Sequence, residues 1–427
     1  MNFYRASDVG VEYVYISIIF FIITFSLGNI FIFKTIKERK LRAIVILGFL
    51  IRFFLIIKDN FIEYTTFSTA DGVLFNTQGY RYLMGYKYLN FSFIKLIVGP
   101  IYTLFQMQVP SVISCLNLMA SLGTTLILYR MIKRNIYYQE ENIKKIMLIY
   151  SFSVFTIFLN IAFLREGILV FCGTLYIYYY LEYRKRKKYL LLGVGIFFLL
   201  ISTYLHSGMI FLGTIPLYEF YRKSKGMHKV IALGIVGVIL IVGVSAIKDM
   251  SYFRGRNLEE MVKGTKAALT GKLPGSIYIS KVTSIKDFIL TSPVRYFYFL
   301  FSPTPNFWRG SMDIFAFFAN SSIYIYLIGS SLKNYLKIKR RIKRRDRVFI
   351  ESLMIGMFVT TFVYGMGTTT AGTAIRHRDK ILPVLLITYC IIIDKKRLIN
   401  YENSNSQSQL RFWRSRKTYS RHGSRIV

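Results

Sequence analysis

Three short stretches of this chain carry residues able to do chemistry, and they lie far apart. Arg165, Glu166 and Gly167 stand between two apolar runs, and Tyr204, Leu205, His206, Ser207 and Gly208 form a second tight turn. The third stretch, Thr368 to Lys380, packs Arg376, His377, Arg378 and Asp379 side by side before Leu382 and Pro383. Planar guanidinium donors suit phosphate oxygens, which they bind in pairs. Histidine is the side chain that carries protons near neutral pH, and of four histidines two, His228 and His422, fall to the basic side and the tail, leaving His206 and His377. An anion held by arginine beside a proton acceptor is the chemistry these residue types allow; the plainer alternative is a set of solvated turns with incidental charges. Weaker features are Asp71 and Gly72 with Tyr80 and Arg81, and Ser292, Pro293, Val294 and Arg295 leading to Phe301, Ser302, Pro303, Thr304 and Pro305.

Other chemistries find little support. Cys115, Cys172 and Cys390 all lie in apolar runs and read as small packed residues. There is no CxxC, HExxH or phosphate-binding glycine loop in a usable context, and no carboxylate cluster argues for a metal or cofactor.

The elements that must position these residues are membrane helices. A net charge of +36 coexists with 53% hydrophobic residues and a mean hydropathy of +0.41, and the apolar residues come in blocks of spanning length. Basic clusters occupy every second junction between blocks, which fixes orientation by the positive-inside rule and argues against nucleic acid as the partner of the charge. The runs are Tyr13 to Phe33, Leu41 to Ile57, Val109 to Ile132, Ile146 to Phe163, Ile168 to Tyr183, Tyr189 to Leu205, Met209 to Tyr221, Val230 to Ile247, Ile314 to Leu332, Val348 to Gly367 and Ile381 to Ile393. Phe93 to Gln108, broken by Gly99 and Pro100, either spans or re-enters.

The expected architecture is an all-α polytopic membrane protein of about eleven spans over residues 1–393. Its external loops cover 58–92 and 248–313, and a basic, Ser-rich, disordered cytoplasmic tail covers 394–427. The N-terminus is expected outside and the C-terminus inside. The first run lacks a small-residue cleavage site and is expected to remain. Aromatic residues in 248–313, among them Tyr296 to Phe301, cannot stay solvated, so this loop is expected to fold over the membrane mouth as partly amphipathic helices. All three chemical stretches then fall on the outer side. Arginine there runs against the positive-inside rule, which points to an anionic ligand.

Together these motifs resemble the Wzy-type polysaccharide and O-antigen repeat-unit polymerases, including their EpsG-like branch. The resemblance rests on Arg165-Glu166-Gly167, on Tyr204-Leu205-His206-Ser207, on Pro293-Val294-Arg295 with Phe301-Ser302-Pro303, and on Arg376 with Leu382-Pro383. The chain departs from the pattern in reading Phe-Ser-Pro without an intervening residue, and its dense Arg376 to Asp379 cluster offers more than one late arginine. The resemblance implies a GT-C-like arrangement in the bacterial plasma membrane and a metal-free, inverting glycosyltransferase. Undecaprenyl-diphosphate-linked oligosaccharides would be both donor and acceptor, undecaprenyl diphosphate would be released, and a chain-length regulator protein would be a partner. Arg165, Arg376 and Arg378 become candidates for the diphosphate charge, with Asp379, Asp71, Arg81 and Arg295 also at the substrate. His206, then Glu166, then His377 are candidates for the base that takes the acceptor proton. The competing readings are a transporter of lipid-linked oligosaccharide and an O-antigen ligase.

If the orientation is right, Arg184 to Lys188 and Lys333 to Arg347 share the cytoplasmic side. Reporter fusions after Arg186 and Arg340 should both give the cytoplasmic signal; an external signal after Arg340 would overturn the topology.

Overall fold

A computed structural model describes residues 10–61, 69–86, 91–135, 140–226, 234, 286, 290–368 and 370–404. The described residues form an all-helical membrane protein. In chain order the helices are α1 (Val11–Thr35), α2 (Arg39–Phe61), α3 (Thr69–Leu83), α4 (Ile94–Phe105), α5 (Pro110–Asn135), α6 (Glu140–Phe152), α7 (Val154–Ile161), α8 (Glu166–Arg186), α9 (Tyr189–Leu205) and α10 (Thr214–Lys223). They continue as α11 (Ser292–Phe301), α12 (Ser311–Ile338), α13 (Arg344–Gly367), α14 (Ala371–Asp379) and α15 (Leu382–Ser404).

Four of these, α1, α5, α12 and α13, are long and apolar enough to cross a membrane, and α6 with α7, bent by 51° at Ser153, makes a fifth. The sequence led us to expect about eleven. The helices α2, α8 and α15 have the length but are diluted by polar residues, such as Arg42 and Arg52 in α2 and Tyr176, Tyr178, Tyr179, Tyr180 and Tyr183 in α8. The run at Met209 begins as a tight 3-10 turn (Ser207–Gly213), so α10 is short. The interrupted run after Phe93 gives only α4, which opens with a π turn and is shorter than the ~20 residues a span needs. Val230 to Ile247 and most of the expected 248–313 cover lie outside the described residues. The tail begins later than expected, because α15 carries Asp394 on through Ser404.

Helix α1 shows how a lipid-facing helix is built. It buries Tyr13, Ser17, Phe21, Thr24, Gly28 and Ile32, one face at helical spacing, while Ile18, Ile19, Ile22 and Phe25 face outward. Gly28 is small because a side chain there would meet the Phe49 ring at 2.4 Å.

Two buried arginines tie the bundle together by serving orphaned carbonyls. The bend between α6 and α7 removes the helical partners of the Tyr150 and Ser151 carbonyls. Arg52 of α2 replaces them, its Nη1 donating to the Ser151 oxygen at 2.6 Å and its Nη2 to that of Tyr150 at 3.1 Å. Arg378 of α14 does the same for the end of α11: Nη1 donates to the carbonyls of Phe299 (3.1 Å) and Leu300 (2.5 Å), and Nη2 to that of Ser302 (2.7 Å) and to Asn320 Oδ1 (2.8 Å). Asn320 lies in the π turn of α12, whose widened coil aims it at the guanidinium.

Replacing Arg378 by Leu would strand these buried carbonyls. Each buried acceptor left without a donor costs about 1–3 kcal/mol. Arg378→Leu should therefore melt well below the wild type in detergent, and an unchanged melting temperature would remove Arg378 as an anchor.

Candidate functional site

The starts and ends of α8, α9, α13 and α14 meet at the end of the bundle opposite the basic clusters. Glu166 opens α8, where the positive end of the helix dipole favours a carboxylate. The link before it is held by Asn117 of α5, whose Nδ2 donates to the carbonyls of Ala162 (3.2 Å) and Leu164 (2.6 Å). Gly167 lets α8 lie against that asparagine, since an added Cβ would come within 2.9 Å of Asn117 Oδ1. The Arg-Glu-Gly motif thus combines an arginine and a carboxylate that take separate partners with the residue that allows close packing.

Helix α14 presents the partners. Thr370 caps it by accepting from the Thr373 N–H at 3.4 Å. Arg376 and Lys380, one turn apart, share the face toward α8. Arg376 Nε donates to Glu166 Oε1 at 2.6 Å, and its Nη1 reaches the Asp71 carboxylate on α3. Lys380 Nζ stands 3.7 Å from the same Glu166 oxygen and over the Tyr364 ring at 5.2 Å. These charges form a ladder inward, with side-chain exposures of 46% for Asp71, 16% for Arg376, 2% for Glu166 and 1% for Lys380. Arg165 joins them from the other side, Nη1 donating at 2.9 Å to the Leu205 carbonyl that ends α9. Three buried atoms here have no hydrogen-bond partner in the structure: Arg165 Nε, Lys380 Nζ and Glu166 Oε2.

Beside this ladder, His206 and His377 meet at right angles, ring centres 5.2 Å apart. Tyr364 wedges against both, its hydroxyl 3.3 Å from His206 Nδ1 and its ring centre 4.7 Å from that of His377. Gly208 makes room for it, as a Cβ there would meet the Tyr364 ring at 2.5 Å. His206 is 4% exposed, whereas His377 is only half-buried.

The remaining sequence candidates stand elsewhere. Arg378 projects from the opposite face of α14, some 200° around from Arg376, and is consumed as an anchor. Asp379 is buried against Thr156 of α7, whose hydroxyl donates to it at 2.7 Å. Arg295 donates from Nη2 to the Met366 carbonyl at the end of α13, 3.1 Å away. Arg81 is exposed, about 15 Å along α3 from Asp71, and Tyr204 is exposed as well. Sequence reasoning missed Tyr364, and it gave no role to Thr368 and Lys380, the two ends of the third stretch.

Electrostatics follow from this packing. Burial alone would raise the Glu166 pKa, yet Arg376, Lys380 and Arg165 hold it at about 2, so it stays ionised and is a poor proton acceptor. Burial and then the charges of Lys380, Arg165 and Arg376 push both histidines well below their usual value. Burial likewise depresses Lys380, only partly offset by Glu166. Burial raises Asp379 to about 6, with Thr156, Arg52 and Arg378 pulling against it. Among the described residues no group of three or more His, Cys, Asp or Glu side chains is placed to hold a metal ion.

With Lys380 protonated, three cations face two carboxylates, and the cluster carries one surplus positive charge beside unspent donors. It can bind an anion, and it keeps two neutral imidazoles next to that anion. Compared with known proteins, the chain matches no family model, no curated protein and no solved structure.

A neutral histidine accepts protons, and here neutrality persists as pH falls below 6.5. After burial, Lys380 is the largest influence lowering both rings. Lys380→Met should therefore raise both histidine pKa values. Titration by histidine NMR should show the imidazolium appearing at higher pH in the variant than in the wild type; an unmoved titration would mean Lys380 does not act on the rings.

Proposed function

We propose that this chain is a membrane-embedded glycosyltransferase that polymerises lipid-linked glycan repeat units. Undecaprenyl-diphosphate-linked oligosaccharides are joined on the outer face of a bacterial plasma membrane, through a bundle of about eleven spans. The observation that carries the reading is the meeting of Arg165 and His206 with Arg376, His377 and Lys380, which lie more than 150 residues further along the chain, at the end that the positive-inside rule assigns to the outside.

In this reading the donor diphosphate displaces Asp71 from Arg376 and takes the spare donors of Arg165 and Lys380. The acceptor hydroxyl oxygen attacks the anomeric carbon from the face opposite the diphosphate and inverts it. The carbon–oxygen bond to the diphosphate breaks, its electron pair leaves with the diphosphate, and the arginines stabilise that charge. The hydroxyl proton goes to an imidazole. The geometry favours His377 for this, because His206 is sealed in and Glu166 is bound to two cations. Glu166 acts instead as the post that holds Arg376 and Lys380 in position. Arg378 and Asp379 support α14 from behind.

Arg165→Lys keeps the charge and loses the planar fork, so polymer formation should fall clearly while the protein inserts at normal levels. His377→Gln should lose about 10²- to 10⁴-fold, the span of a positioned base. A deletion strain should accumulate single lipid-linked repeat units. Accumulation of those units on the cytoplasmic face would favour a transporter, and accumulation of finished polymer on its lipid would favour a ligase. Full activity of Arg165→Ala would refute the diphosphate role.

A further inference from the structure

We infer that Thr368 is the positioning residue for His377: it fixes the tautomer that leaves Nε2 as the ring's proton-accepting nitrogen. The inference rests on reading this site as one that deprotonates a hydroxyl, but the tautomer itself follows from hydrogen-bond geometry alone.

Thr368 follows α13 as its C-cap, and its side chain turns back on that helix. Its hydroxyl donates to the Tyr364 carbonyl at 2.6 Å, one of the last carbonyls of the helix, which lacks an intrahelical partner. A threonine hydroxyl has one hydrogen and two lone pairs. The hydrogen is spent on Tyr364, so toward any second partner the oxygen can only accept. That second partner is His377 Nδ1, 3.4 Å away, a length common for catalytic hydrogen bonds at rest. His377 must therefore carry its proton on Nδ1, and a neutral ring with Nδ1–H has its lone pair on Nε2. The reverse arrangement, with the hydroxyl turned to donate to a bare Nδ1, would strand the buried Tyr364 carbonyl, a penalty the observed arrangement avoids.

Tyr364 is the centre of this device. Its carbonyl sets the direction of the Thr368 hydroxyl, and its ring packs on His377 at 4.7 Å and under Lys380. One turn of α13 thus orients the ring and selects the nitrogen, the role a buried carboxylate plays behind histidine in hydrolase triads. A neutral hydroxyl suits this site better than a carboxylate would. It fixes the tautomer without adding a negative charge that would compete with the substrate anion for Arg165, Arg376 and Lys380.

The chain's four histidines make the test direct. Full-length protein labelled with ¹⁵N-histidine and reconstituted in lipid bilayers gives few ring signals, and His377→Gln identifies those of His377. The wild type should show His377 protonated on Nδ1 and bare on Nε2; a wild-type ring protonated on Nε2 overturns the inference. Thr368→Val keeps the shape and removes the hydroxyl. It should shift the ring toward the Nε2–H form and lower kcat about 3- to 10-fold, the worth of one neutral hydrogen bond, with KM nearly unchanged. Thr368→Ser should restore both. An unchanged tautomer in Thr368→Val also overturns the inference, and if that variant does not fold, the wild-type and Thr368→Ser spectra decide. A correct tautomer in a protein that transfers no glycan would leave the inference standing and remove the polymerase reading instead.

Discussion

One ion pair sets the arrangement of this end of the molecule. Glu166 has almost no contact with water, and a buried carboxylate is tolerable only when cations and donors reach it. Arg376 and Lys380 supply them from α14, which lies more than two hundred residues away along the chain. Meeting that demand draws α14 against α8, and Arg376 in turn draws Asp71 and α3 across the mouth. The histidines come together because they sit on the segments so gathered: His206 ends α9 next to the Arg165 link, and His377 follows Arg376.

The nine-residue helix α14 works because its period divides four adjacent ionisable residues among different tasks. Arg376 faces Glu166 and Asp71, and His377 faces the second histidine. Arg378 faces the carbonyls of α11, and Asp379 faces Thr156 on α7. A loop would leave all four in competition for the same solvent. As a helix, the same four residues brace the structure on two sides and expose functional groups on the others.

How much of this could be read in the sequence depends on the range of each signal. The helical membrane character was legible because it is a property of blocks of residues, and the candidate stretches stood out because they put arginine at the junctions that the basic clusters leave free. Which charges would meet was less so. The stretch from Thr368 reads as a loop unless Thr370 is taken as a cap, and only then does helical spacing separate Arg376 and Lys380 from Arg378. The role of Phe301-Ser302-Pro303 as a receptor for Arg378 depends on a contact across 76 residues, between Arg378 and the Ser302 carbonyl, which no local pattern encodes. Helix boundaries were less legible, because hydropathy cannot see where a run breaks into a 3-10 turn, as it does after His206. Tyr364 was hidden because it lies within an apolar run and looks like any interfacial aromatic.

Arg52 has a consequence for how the protein is made. A guanidinium buried in the middle of α2 is costly unless donors and acceptors are matched around it. Its main carbonyl partners, Tyr150 and Ser151, emerge from the ribosome 98 and 99 residues later. During synthesis α2 therefore waits as an incompletely satisfied helix, and it settles only when the bent α6–α7 pair arrives. The bend needs the arginine as much as the arginine needs the bend, so biogenesis must bring these segments to maturity together rather than in the order in which they are translated.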